Sequence, residues 1–330
     1  MTLRYTSTRY WRRLTVIAVL GPLLIVVGLF LGDGWREPWT LLDPARAGIL
    51  QLRLWRVGLG ALAGASLALA GCVLQTVLRN PLAEPFVLGL SSGAGLGTAA
   101  CIVLGALVLH PILLPLSGFA GAMCSLLVVY HLARTARGTT PHTLILAGVV
   151  WGSITHSVLM FLVTQSSAEG LQAILWWMLG DLQVYDPQLI IMVAVMNSAA
   201  ALGLFAHHRA LNALLLGDEG AAHVGVNTER VKITVLALGT LLAAAAVSVS
   251  GIIAFVGLVA PHVARAWVGS DHRRLLPAAA LAGATFLVWA DGIGRTLLFP
   301  VEIPVGVLTA LVGGPFFLLL LRRKQKEIWT

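Results

Sequence analysis

A helix needs ~20 apolar residues to cross hydrocarbon, and runs near that length recur along this chain. They fall at 14–32, 56–78, 88–108, 112–133, 142–163, 188–206, 232–250, 256–268, 275–297 and 304–321. The pattern predicts an all-α fold, a polytopic transmembrane helix bundle of about ten spans. The eighth run, 256–268, is too short to cross alone and predicts a partial or broken helix. Hydrocarbon tolerates such a segment only where protein or a water-filled cavity surrounds it. The first run follows Arg4, Arg9, Arg12 and Arg13, as a signal peptide would begin. At eighteen residues, Leu14 to Leu31, it exceeds the usual h-region, and no small-x-small cleavage site follows. It reads as a retained first helix. Glycines spaced by four, Gly60/Gly64, Gly89/Gly93/Gly97 and Gly148/Gly152, predict close helix contacts inside the bundle.

Composition agrees with a lipid solvent. Apolar residues are 58% of 330 positions and charged residues 11%, less than half the ~25% a soluble domain carries. No stretch is polar enough for a separate soluble domain, so residues 1–330 read as a single transmembrane domain. The net charge of +8 is gathered in small groups between apolar runs, which points to lipid-flanking loops and not to nucleic acid. With the N-terminus cytoplasmic, seventeen Lys and Arg fall inside and five outside: Arg36, Arg46, Arg53, Arg56 and Arg295. That bias places both termini in the cytoplasm. Cys72, Cys101 and Cys124 all lie in apolar runs without metal-ligand spacing and read as packing residues.

Absent motifs narrow the chemistry. A P-loop places Lys directly after Gly, and Lys232, Lys324 and Lys326 do not follow glycine. HExxH, a nucleophile elbow and CxxC are also missing, so no metal, cofactor or enzymatic activity is expected. Asp291 is the clearest intramembrane carboxylate, whereas ion-coupled carriers use several such groups as relays. Uphill movement would draw its energy from a partner. An ion-coupled secondary carrier is the alternative class.

The loops are more informative. In RNPLAEPFVLG (79–89), Pro81 and Pro85 end a helix and hold an extended turn. Asn80 can satisfy the freed backbone there with its carboxamide. The longest cytoplasmic loop, about 207–232, carries two mildly apolar stretches, Leu211–Leu216 and Ala221–Val226, broken by Gly217, Gly220 and Gly225. Two short exposed helices there suggest a docking surface; the other reading is a loop folded back on its own bundle. His262 has no second ligand at i+3 or i+4 and reads as a helix-end histidine bonded to backbone. Glu302 sits between Pro300 and Pro304 outside the membrane, and Gly313-Gly314-Pro315 predicts a kink in the last helix.

Seven motifs in order carry a resemblance: RLWR (53–56), GASLALAGCVLQ (64–75), RNPLAEPFVLG, the LGDEGAAHVGV loop, GIIAFVGLVAPHVAR (251–265), DHRRLLPAAALAGA (271–284) and PVEIPVGVLTALVGGPFF (300–317). From Arg53 to Arg323 the chain resembles the permease subunit of type II ABC importers, the iron-siderophore, haem and cobalamin permeases of bacteria. The resemblance implies ten helices in the inner (plasma) membrane and a second permease subunit, either another copy or a paralogue. It also implies two cytoplasmic ABC ATPase subunits and a periplasmic or lipid-anchored substrate-binding protein. Carried over by position, Leu214, Leu215, Leu216, Gly217, Asp218, Glu219, Gly220, Ala221, Ala222 and Gly225 would couple to the ATPase. Asn80, Pro81, Leu82, Thr139, Thr140 and Pro141 would form cytoplasmic gates, and Arg53, Arg56 and Arg295 would dock acidic residues of the binding protein. The charge pattern points the same way, since these three oppose the positive-inside trend; the other reading is snorkelling at headgroup level. Trp55 stands where the family commonly has proline. The expected function is a permease for an iron-siderophore-type metal chelate, working by alternating access and powered by separate ATPases. A haem or cobalamin importer on the same scaffold is the alternative.

Overall fold

The structure, a computed structural model, describes residues 2–32, 47–106, 110, 112–135, 138–184 and 186–328. Arg36, Arg46 and Arg137, which entered the charge tally, lie outside the described residues. In chain order the helices are α1 (Thr2–Gly28), α2 (Ala47–Val77), α3 (Leu90–Val103), α4 (Leu113–Ala133), α5 (Pro141–Thr164), α6 (Ala168–Leu179) and α7 (Pro187–Ala206). They continue as α8 (His208–Leu214), α9 (Asp218–His223), α10 (Thr228–Ser250), α11 (Val256–Val268), α12 (His272–Leu297) and α13 (Val305–Ile328). A 3-10 turn, Pro85–Leu88, precedes α3. Two antiparallel two-residue strands, β1 (Arg134–Thr135) and β2 (Gly138–Thr139), tighten the α4–α5 connection. Among the described residues the fold is otherwise all helical.

Seven helices are long and apolar enough to cross a membrane: Tyr10–Gly28 of α1, then α2, α4, α5, α7, α10 and α12. The shorter apolar helices are α3 and the Val305–Leu320 part of α13. Every expected run falls on a helix. One helix has no counterpart among those runs: α6, twelve residues long, lies where the pattern gave only a connection. It is too short for a span, is capped by Ser167, and buries Ile174 against Ala99 of α3 and Leu159 of α5. The last helix continues through Pro315 as one element.

The bundle is organised around α2. Its apolar window is 78% buried, and small residues let neighbouring backbones approach. A Cβ added at Gly64 would lie 2.2 Å from the carbonyl oxygen of Gly283 on α12, and one at Gly71 only 1.8 Å from that of Gly257 on α11. The Gly93/Gly97 pair does the same for α3 against α4, where added Cβ atoms would meet Ser125 Oγ at 2.0 Å and the Ser117 carbonyl at 2.1 Å. With no hydrophobic drive between helices in lipid, backbone proximity of this kind is what holds them together.

Between α10 and α11 the chain leaves the helical path at Gly251 (φ 69°) and re-enters it at Phe255 (φ 68°). Phe255 is a non-glycine residue in the left-handed region, which is uncommon for a bulky side chain. Protein surrounds this segment. The Asp181 N–H donates to Ser250 O and the Ile252 N–H to Trp177 O, and the Phe255 N–H donates to the Glu84 carboxylate. The short eighth run is therefore a helix that begins partway through the bundle, at Val256.

Candidate functional site

The residues singled out in the sequence fall into two groups, at opposite ends of α2. At the C-terminal end of α2, the 207–232 loop folds as α8 and α9, two to three residues earlier than the apolar stretches suggested. Gly217 (φ 96°) makes the corner between them and Gly225 (φ 82°) the exit. Leu211, Leu214 and Ala221 turn inward and are buried, while Leu215, Leu216 and Val224 remain exposed, Leu216 at 65%. The loop thus packs one side on its own bundle and leaves an apolar tip uncovered.

Asp218, the first residue of α9, is held by two cations. Arg79, next to Asn80, pairs with one carboxylate oxygen, and Lys232 Nζ lies 2.8 Å from the other. Lys232 is buried and also donates to the carbonyl oxygen of Thr139 at 3.3 Å. The Thr139 hydroxyl in turn donates to Glu229, 3.2 Å away, which also accepts from the Tyr130 hydroxyl at 2.9 Å. The predicted coupling loop and both predicted gate turns are therefore joined through one chain of charged contacts. Arg79, Lys232, Glu229 and Tyr130 carry those contacts, and none was singled out from the sequence. The signal available was weak: Lys232 is the one lysine placed just inside an apolar run.

The two turns expected to act as gates are held by local side-chain bonds. The Asn80 carboxamide oxygen accepts the Leu82 N–H at 3.0 Å, as its place before Pro81 suggested. Thr140 caps α5, with a reciprocal bond to Thr143 and Pro141 at the first helical position. Glu84, in the same loop as Asn80, has its carboxyl pushed up by burial, an effect partly opposed by the Phe255 N–H it accepts. A second tether joins α8 to α12. The Asn212 carboxamide donates to Asp271 at 2.8 Å and accepts from the His272 N–H at 2.9 Å. Burial raises the Asp271 carboxyl, but the bonds from Asn212 and the Arg273 N–H outweigh it and hold it below the usual carboxylate range.

The second group lies near the other end of α2. Arg53 and Arg56 stand one turn apart on an unbroken helix, so tryptophan at 55 leaves the helix intact. The sequence treated Arg53, Arg56 and Arg295 as exposed charges. The structure corrects that premise: they are 7%, 8% and 6% exposed. Arg56 donates to both oxygens of Asp291, at 2.8–3.1 Å, and to Glu302 at 2.8 Å. Arg295 Nε lies 3.0 Å from Asp291, one turn earlier on α12, close in charge but off the hydrogen-bond line. Arg53 donates to Leu29 O at 3.1 Å. The outermost member is Glu302, with 40% of its side chain exposed, and Gln183 donates to it at 2.9 Å. A cavity of about 180 Å³ opens between the three arginines and Glu302. Nearby, burial pushes the Asp181 carboxyl up against the pull of the Gln183 N–H and Arg56.

His262 meets Phe316 edge-on, with ring centroids 5.6 Å apart. Cys72 and Cys101 are buried and Cys124 is exposed, all three as free thiols. Among the described residues no three His, Cys, Asp or Glu side chains gather as metal ligands would.

A multi-pass bundle with a discontinuous helix, a tethered loop pair at one end and buried arginines at the other defines a membrane transport protein. The chain belongs to the FecCD transport family, which matches residues 14–323, and is a permease of the type II ABC importer class. It is 42% identical over 305 residues to the cobalamin import system permease protein BtuC of Halobacterium salinarum, covering 87% of this chain and 80% of that one. It is 39% identical over 288 residues to the hemin transport system permease protein HmuU of Yersinia pestis, covering 84% of each. It is 35% identical over 344 residues to the Fe(3+)-citrate import system permease protein YfmE of Bacillus subtilis, covering 98% of this chain and all of that one. Among solved structures it is similar to an inward-facing ABC transporter of metal-chelate type, with a TM-score of 0.84 at 30% identity over 95% of this chain and 99% of that one.

Proposed function

We propose that this chain is the membrane-spanning subunit of an ATP-driven importer for a metal chelate in the bacterial inner membrane. Ten membrane elements are supported by counting α3, α11 and α13 with the seven long helices, and the bias of basic residues supports cytoplasmic termini. The observation that carries the reading is the Asp218 network. A loop pair with an exposed apolar tip is tied by charge to both turns that would gate the pathway. Force applied to α8 and α9 by a docked ATPase would reach Asn80–Leu82 through Arg79 and Thr139–Pro141 through Lys232.

At the other end, Arg53, Arg56 and Arg295 are the proposed contact for acidic residues of a binding protein. Because Arg56 already holds Glu302, an incoming carboxylate would exchange with a partly exposed internal one, which solvent and the Gln183 amide could then satisfy. Such contacts orient and speed docking more than they tighten it.

For the cargo, a ferric siderophore is the reading the motifs suggested, and a cobalamin or haem chelate is supported as well by the names of the relatives. A strain lacking this chain, grown on each chelate as its sole iron or cobalamin source, separates them. The proposal expects growth to fail on one chelate and return with the gene. Undiminished growth on all of them would overturn it.

A further inference from the structure

We propose that the face formed by α1, α11 and α12 is a binding site for one anionic phospholipid of the surrounding membrane. A groove of about 380 Å³ runs between these helices, lined by side chains such as Ile17, Leu20, Leu24, Val263, Trp267 and Leu281. Its wall is almost wholly apolar, and Leu20 and Val263 are exposed at 47% and 39%. The other side chains on the outward face of α1 are exposed as well, so the groove opens toward lipid.

The end of this groove is charged. On α1, Arg13 lies on the row that continues through Ile17, Leu20 and Leu24; on α12, Arg274 lies on the row that continues through Leu281 and Thr285. Both rows run along the groove, which puts the two arginines toward the same end of it. Arg13 is held there by a bond to Trp267 O at 3.1 Å. Arg274 lies over the Tyr10 ring at 4.9 Å and Arg273 over Trp11 at 5.4 Å. The acid nearest Arg274, Asp271, is 3.6 Å from its Nε, and Arg274 Nε and Nη1 are shielded by protein, so Arg274 acts on the rim through its charge. The three arginines against one aspartate leave this end of the groove net positive, ringed by aromatic side chains of the kind that favour the interface.

Length fits too. From Arg13 to Leu24 is eleven helical rises, about 16 Å, against roughly 15 Å for the hydrocarbon of one leaflet. A phosphate at the arginines would thus leave one acyl chain lying along the groove. Basic pockets between membrane helices are known to hold anionic headgroups in this way. The occupant we assign is a lipid and not a free phosphate, because the apolar groove is continuous with the charged rim.

The test uses the full chain in mild detergent, with retained lipid counted by native mass spectrometry. Phosphatidylglycerol, phosphatidylcholine and inorganic phosphate are added in turn. The wild-type chain should retain phosphatidylglycerol in preference to phosphatidylcholine, and inorganic phosphate should not displace it. R13Q/R274Q should weaken that retention by roughly thirtyfold, the factor two arginines near an anionic surface contribute, and R13K/R274K should restore most of it. Equal retention of the two lipids by the wild-type chain would overturn the proposal, and that arm needs no variant to fold. Displacement by phosphate alone would overturn it too, as would full retention by a monodisperse R13Q/R274Q protein.

Discussion

Asp291 sits one turn before Arg295 on α12 and directly across from Arg56 on α2, so a single buried carboxylate faces two buried guanidinium groups. Removing it would strand Arg295 in a low-dielectric interior and leave Arg56 only the solvent-facing Glu302, at a cost of about 3–5 kcal/mol. Glu302 also pairs with Arg56, but solvent reaches its carboxylate, which screens this half-exposed pair toward the ~1 kcal/mol of a surface bridge. Thermal unfolding in detergent should therefore show D291N far less stable than wild type and E302Q nearly unchanged. Equal midpoints for the two variants would show that Asp291 does not organise the cluster. The sequence made Arg53, Arg56 and Arg295 stand out, because basic residues on that side oppose the positive-inside trend. It did not show that they are buried. Burial depends on Asp291 and Glu302, which lie about 235 and 246 positions along the chain from Arg56 and come together only once α2, α12 and the start of α13 have packed.

At the scale of elements, the helices were legible because lipid imposes a length on each apolar run, and the GxxxG spacing was legible because it sits on one face of a helix. Gly71 lies outside the pairs that spacing marked, yet its contact with α11 is the tightest on α2. G71A should destabilise the bundle by at least about 1–3 kcal/mol, because the Gly257 carbonyl is backbone and cannot swing aside. G58A, with nothing within 4 Å of the added Cβ, should be neutral or gain roughly 0.4–1 kcal/mol. Thermal midpoints in detergent check the pair, and similar midpoints would contradict the close approach of α2 and α11. The element that was not legible, α6, has a plain reason. Twelve residues do not make a span, and its burial of Ile174 depends on α3 and α5, which no local pattern reveals. The 251–255 segment was half legible: the shortness of the following run announced a broken helix, but the left-handed Phe255 and its bond to Glu84 are tertiary facts.

For the molecule as a whole, the central claim is that α8 and α9 pass work from an external ATPase to the gates, and that the chain has no energy source of its own. The sequence located the loop and both turns. It could not join them, because Arg79, Lys232 and Glu229 read as ordinary loop charges until Asp218 and Thr139 are placed beside them. The exposed tip at Leu215 and Leu216 offers a direct handle, since a charge there should block docking while leaving the buried Leu211 and Leu214 packed. The measurement is chelate uptake into vesicles that hold this permease with its ATPase and binding protein, comparing wild type with L215D/L216D. Wild-type uptake should require ATP, stop with vanadate and persist with a protonophore, and L215D/L216D should abolish it and lose capture of the ATPase. Uptake that survives vanadate but collapses with a protonophore, or that proceeds at the normal rate in L215D/L216D, would contradict it.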